Sequence, residues 1–115
     1  VRKSLDGVVA PVRPSAKHQH PFISIDEYVG WQDDKGRLFD PWLRSHAAAG
    51  GRIIKPASRS MVVEEPVGFW EMWTGRPFEQ SGDYPIDGAL VPVSIDLDRG
   101  VGRYVEPNVW FAYAA

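Results

Sequence analysis

Asp40-Pro41-Trp42-Leu43-Arg44-Ser45-His46-Ala47-Ala48-Ala49-Gly50-Gly51-Arg52-Ile53-Ile54 is the stretch on which the fold turns. Its first two residues open a helix. The Asp40 carboxylate can accept from free backbone amides, and Pro41 suits the first helical position, where no N–H is needed. Trp42, Leu43, His46 and three alanines carry the helix forward, and Gly50-Gly51 end it by supplying a left-handed cap. Arg52-Ile53-Ile54 then opens a strand, which Met61-Val62-Val63 continues past Pro56. A capped helix handed across glycines into a strand predicts a sheet with helices laid on it.

Upstream, Ile23-Ser24-Ile25-Asp26-Glu27-Tyr28 reads as a second helix start. Ser24 and Glu27 have capping-box spacing, with Ile23 and Tyr28 as the staple. Gly30 and the turn Asp33-Asp34-Lys35-Gly36 keep that helix short. Before it, Val8-Val9-Ala10-Pro11-Val12 is a continuous apolar run, the pattern of a strand buried on both faces. Pro11 marks its end or a bulge, and residues 13–22 read as an extended loop. Downstream, Pro66 opens a short helix carrying Phe69, Trp70 and Trp73, which Gly75 stops. Residues 76–88 read as a polar loop. Ala89–Leu97 and Val101–Tyr113, joined by Asp98-Arg99-Gly100, form a predicted β-hairpin whose second strand breaks near Pro107. The order β, α, α, β, α, β, β gives an α+β fold: a mixed, largely antiparallel sheet with short covering helices.

Composition sets outer limits. A chain of 115 residues fits one domain, 1–115. A net charge of −2 gives no basic surface for nucleic acid. No apolar run approaches the roughly 20 residues that span a bilayer, and no basic-then-apolar leader opens the sequence. A cytoplasmic protein is the expectation, with no nucleic acid and no membrane as partner. The absence of cysteine excludes disulfides, thiolate metal sites and a cysteine nucleophile. Five Trp and ten Pro imply rigid aromatic anchors and strands interrupted by kinks. The first residue is Val, so a processed or trimmed chain, or one read from a non-standard start, is expected.

The segment Trp42–Ile54 resembles a signature of the GNAT superfamily of acyl-CoA N-acetyltransferases. There a helix ends in a tyrosine, three variable residues, a glycine and an aromatic that enters a strand. Gly50 matches the glycine, and His46 falls four residues before it. Val8–Val12 with Arg13-Pro14 resembles the family's fifth strand and the loop after it. Ala57–Met61 and Tyr104–Trp110 look like the C-terminal region of bacterial GNAT-like proteins. The resemblance covers most of this chain but only about the second half of a family member. It implies the C-terminal half of an acyl-CoA N-acyltransferase fold and an enzyme that moves an acyl group to an unknown amine. The co-substrate would be acetyl-CoA or another acyl-CoA. One departure is clear. The family holds the CoA pyrophosphate in a Gln/Arg-x-x-Gly-x-Gly/Ala loop at a helix N-terminus, where free amides and the helix dipole receive phosphate. This sequence has no such loop, and Gly100-Val101-Gly102-Arg103 falls in a hairpin turn. The cofactor-phosphate half is therefore expected to be absent, leaving a homodimer or a missing N-terminal half as partner.

The resemblance also nominates residues. His46 occupies the position of the general acid that protonates the departing thiolate; the competing reading is a packing histidine. Arg13, Ser15 and Lys17 follow the fifth-strand match and are the cofactor-binding candidates, against a solvated loop. Trp42, Trp70 and Trp73 are the substrate-binding candidates, although Phe69, Trp70 and Trp73 also have ordinary core-face spacing. Glu106, near Trp110, is a group that can orient an amine. Glu64-Glu65 reads as charge favourable at a helix N-terminus. His18 and His20 lack a third ligand, so no metal is expected. A non-catalytic assembly domain is the reading of a different class.

Overall fold

The computed structural model describes residues 2–4 and 7–114. Strands β1 (Arg2–Ser4), β2 (Gly7–Val12), β3 (Arg52–Pro66), β4 (Gly82–Tyr84), β5 (Val93–Asp96) and β6 (Val101–Ala114) form one sheet. Helices α1 (Ile25–Tyr28), α2 (Pro41–Ala48) and α3 (Val67–Thr74) and a short 3-10 turn (Lys17–Gln19) complete the order. Every strand pairing among the described residues is antiparallel. The fold is α+β with a largely antiparallel sheet and short helices.

β6 is the axis. On one edge it pairs with β5 at its start (Asp96↔Val101) and with β2 at its end (Val12↔Val109 to Gly7↔Ala114). Its other edge carries β3 from Pro66↔Val101 to Arg52↔Ala112. Pro107 does not break the strand as its sequence predicts. It falls between the partners of β5 and β2 and opposite an irregularity of β3 between Ala57 and Met61, so no ladder bond requires its missing N–H. Buried positions run on even residues up to Glu106 and on odd residues from Pro107, so the inward register changes there. Two small cores result. Val109 and Phe111 join Val12, Ile25, Tyr28 and Leu43 beneath α1 and α2. Tyr104 joins Trp70, Phe78, Val93 and Ile95 around α3.

The helix starts form as their capping residues dictate. Glu27 N–H donates to Ser24 Oγ at 3.1 Å. Asp40 accepts from Trp42 N and Leu43 N, both at 3.0 Å. It also accepts from Tyr28 Oη at 2.5 Å, Ala16 N at 2.9 Å and Ser15 N at 3.2 Å. One carboxylate thus fixes α2, α1 and the loop after β2. Burial raises its pKa, but these donors outweigh burial and hold it below the ordinary carboxylate value.

Other expectations are corrected. β2 is not buried on both faces: Val12 is buried, Val8 to Ala10 are half-buried and Pro11 is exposed. Pro11 nonetheless lies inside β2, past Val9, where the β1 ladder has ended and an edge can take a residue without an N–H. The polar loop 76–88 contains β4, paired with β5. The strand expected from Ala89 begins only at Val93. Leu90 instead donates its N–H to Tyr104 Oη at 3.1 Å, and its carbonyl accepts from Lys17 Nζ at 2.7 Å. Backbone groups spent on side chains leave none for a ladder.

Candidate functional site

A concave site lies where β6 meets α3 and the loop before β5. It encloses about 370 Å³ and is lined by Arg13, Trp70, Trp73, Tyr104 and Glu106, with Met61, Val63 and residues 86–89 completing the wall. Four residues singled out from sequence, Arg13, Trp70, Trp73 and Glu106, line it.

The carboxylate of Glu106 is its polar centre. Oε1 accepts from Tyr104 Oη at 2.9 Å and from Arg13 Nε at 3.2 Å. Among the described residues no bond engages Oε2, which is left to the pocket. Tyr104 and Glu106 stand two apart on β6 and so project to one side. Arg13 reaches across from the end of β2 and also donates to Gly88 O at 2.9 Å, tying the loop before β5 to the site. Burial raises the Tyr104 pKa to about 12, with the Leu90 N–H opposing and Glu106 adding to the rise. The phenol therefore stays protonated at neutral pH and remains a donor to Glu106. Sequence reasoning misses Tyr104, although Tyr-x-Glu on a strand is the period-2 signal that would have found it.

The aromatic wall is built by α3. Trp70 is buried and donates Nε1–H to Gly102 O at 3.0 Å. Trp73 stacks parallel to it, with ring centroids 5.8 Å apart, but is 66% exposed. Trp70 is thus a core residue that also lines the cavity, and Trp73 lines it from the surface.

The remaining candidates lie elsewhere. His46, on α2, shares a hydrogen bond between Nδ1 and Tyr113 Oη. Trp42 packs edge-on against it at 4.7 Å and is half exposed. Gly51 allows this corner to close: a Cβ there would meet His46 O and the Tyr113 ring at 2.8 Å. Tyr113 lies seven positions beyond Glu106 on β6, a distance of roughly 23 Å at the usual rise. His46 and Glu106 therefore do not address the same atoms. Ser15 is exposed, with its amide bound to Asp40. Lys17 is not in a solvated loop. It is fully buried and donates to His20 O and Leu90 O, each at 2.7 Å, and burial lowers its pKa.

The N-termini of α1 and α2 are capped by side chains of the protein itself, and that of α3 is not. The Trp42 and Leu43 amides of α2 donate to Asp40, the Glu27 amide of α1 donates to Ser24 Oγ, and Val67 N–H of α3 donates to Gly100 O. Among the described residues no group of three or more His, Cys, Asp or Glu is placed to hold a metal. No helix among them is long and apolar enough to cross a membrane.

Compared with known proteins, the chain is 37% identical over 126 aligned residues to the arginine N-acetyltransferase avaD of Aspergillus versicolor. The match takes in 94% of this chain and 43% of that protein. The chain therefore spans less than half the length of this relative. No family model matches the chain, and no solved structure matches it. At this identity and coverage the chain is homologous to part of an N-acetyltransferase, consistent with the GNAT-like resemblance of its helix–glycine–strand segment.

Proposed function

We propose that this chain is the acceptor-binding part of an acyl-CoA-dependent N-acyltransferase, with acetyl-CoA as donor and a guanidino or amino compound such as arginine as acceptor. The observation that carries the reading is the pocket in which the Glu106 carboxylate, fixed by Tyr104 and Arg13, faces a wall of Trp70 and Trp73. A carboxylate and an indole face are the two groups that hold a planar cation. The arginine named for the relative is such a cation. In acyl transfer the acceptor nitrogen attacks the thioester carbonyl, a C–N bond forms and the C–S bond breaks. The nitrogen's proton passes to a base, and the thiolate leaves and takes up a proton. Glu106 orients the acceptor in this scheme. The grip on the donor's phosphates belongs to protein outside these residues.

A titration with arginine, followed by tryptophan fluorescence, tests the pocket. A saturable change in the wild type that is lost in Glu106→Gln supports it. Emission indifferent to arginine sinks it.

His46 offers a second location for chemistry, favoured by its hydrogen bond to Tyr113 and its place four residues before Gly50. Thiol release from acetyl-CoA in the presence of arginine separates the two. A loss in His46→Ala on the order of 10²-fold or more identifies His46 as the thiolate's proton donor. Equal rates in the wild type and variant remove it from the reaction.

A further inference from the structure

A second depression of about 300 Å³ adjoins the first and shares Trp73, Ile86 and Asp87 with it. It adds Thr74, Arg76 and Pro85. Arg76 follows Gly75, the left-handed residue that ends α3, so the chain turns sharply and delivers the side chain over the loop that enters β4. Its guanidinium lies over the Phe78 ring at 5.3 Å and the Tyr84 ring at 5.1 Å, and these two rings contact each other at 4.8 Å. Stacking of this kind holds a guanidinium in place without consuming its N–H donors. Among the described residues no carboxylate pairs with Arg76. The other pocket cation, Arg13, is by contrast already spent on Glu106. The joined site thus runs from an anionic end at Glu106, past Asp87 on the shared wall, to a positioned and unspent cation at Arg76.

We propose that this second depression is a carboxylate subsite and that the acceptor is a free amino acid with a cationic side chain. The inference rests on the reading of the first pocket as the acceptor site. The side-chain cation lies at Glu106 against the exposed Trp73 ring, the α-ammonium faces Asp87, and the α-carboxylate is bound by Arg76. Arg76 selects against decarboxylated amines and against esters or amides, including arginine within a peptide chain.

Calorimetry with arginine and with agmatine, its decarboxylated counterpart, tests this on the 115-residue chain. The wild type is expected to bind arginine on the order of tenfold more tightly, the size of one charge-assisted hydrogen bond. Arg76→Gln should erase that preference and leave agmatine affinity unchanged, while Glu106→Gln weakens both ligands. Arg76 is exposed, and an unchanged circular dichroism spectrum shows that the variant is folded. Equal binding of the two ligands by the wild type overturns the carboxylate subsite alone. So does an arginine preference that survives in Arg76→Gln. Binding of neither ligand overturns the first pocket and the subsite with it. A third arm uses CoA itself. If Arg76→Gln loses affinity for CoA while keeping its preference for arginine, Arg76 serves a phosphate and the proposal fails.

Discussion

Single side chains in this protein hold several elements at once, and their titration should be visible in its stability. Asp33 accepts from the amides of Lys35 and Arg37 through Oδ1, and from Arg37 Nε and Arg44 Nη1 through Oδ2, all at 2.9 Å. The Arg37 amide heads the causes that hold its pKa at about 2, against an ordinary 3.8. A carboxyl group whose folded pKa is depressed stabilises the fold fully above its unfolded value and ceases to do so as pH falls through the folded one. Urea midpoints of the wild type should thus fall between pH 4 and pH 2 more steeply than those of Asp33→Asn. Parallel curves would show that the network contributes nothing. Asp40 has its pKa shifted in the same direction but binds five donors around a buried carboxylate. Asp40→Ala strands the Tyr28 hydroxyl and uncaps α2, for an expected loss of about 2–4 kcal/mol in chemical denaturation. A loss below about 1 kcal/mol would mean that water replaces the carboxylate. Both aspartates were legible as turn and cap residues because the signal is local. The convergence of Tyr28 and Ala16 on Asp40 was not, because it depends on where the chain returns.

At the scale of elements, the legible parts were those announced by their own ends. Ser24, Asp40-Pro41 and Gly75 mark the helices and hold in the structure. The strands were read less well because their limits are set by partners. β4 has three residues and no alternation of its own, and it exists because β5 lies beside it. Pro107 interrupts a sequence pattern but not a strand, since β6 has no partner requiring its amide. The pocket was half legible for a related reason: α3 shows its tryptophans, but what they face depends on β6. The attachment of α3 rests on a notch at Gly102, where a Cβ would meet Trp70 Cδ1 at 2.4 Å and Ile95 Cδ1 at 2.8 Å. Gly102→Ala should therefore displace Trp70, lengthen its bond to the Gly102 carbonyl, and cost about 1–3 kcal/mol through overpacking. A red shift of tryptophan emission in the native state would accompany the loss of stability. Unchanged emission and an unchanged denaturation midpoint would show that α3 is held by something other than this notch.

At the scale of the molecule, apolar surface is left uncovered beside the pocket. Met61 and Val62 of β3 and Phe69, Met72 and Trp73 of α3 are all exposed, Met72 by 84%. Met61 and Trp73 both line the pocket, so these two stand at its rim. None of the 15 residues of β3 is buried, yet its backbone edge is guarded by Lys55, Pro56 and Arg59 and by two irregularities in its ladder. Charges, proline and bulges are the usual means of blocking strand-to-strand pairing. Association by adding a strand to β3 is thus opposed, and burial of the side-chain patch is the remaining route. Whatever covers Met61 and Trp73 also covers the mouth of the pocket they line. When nothing else covers the patch, a second copy should. Light scattering of the isolated chain is expected to show a mass rising with concentration above the 12.9 kDa of one copy. Met72→Lys should hold the mass at one copy, while arginine binding, which does not involve Met72, persists. A wild-type mass constant at one copy would mean that the rim has no affinity for apolar surface.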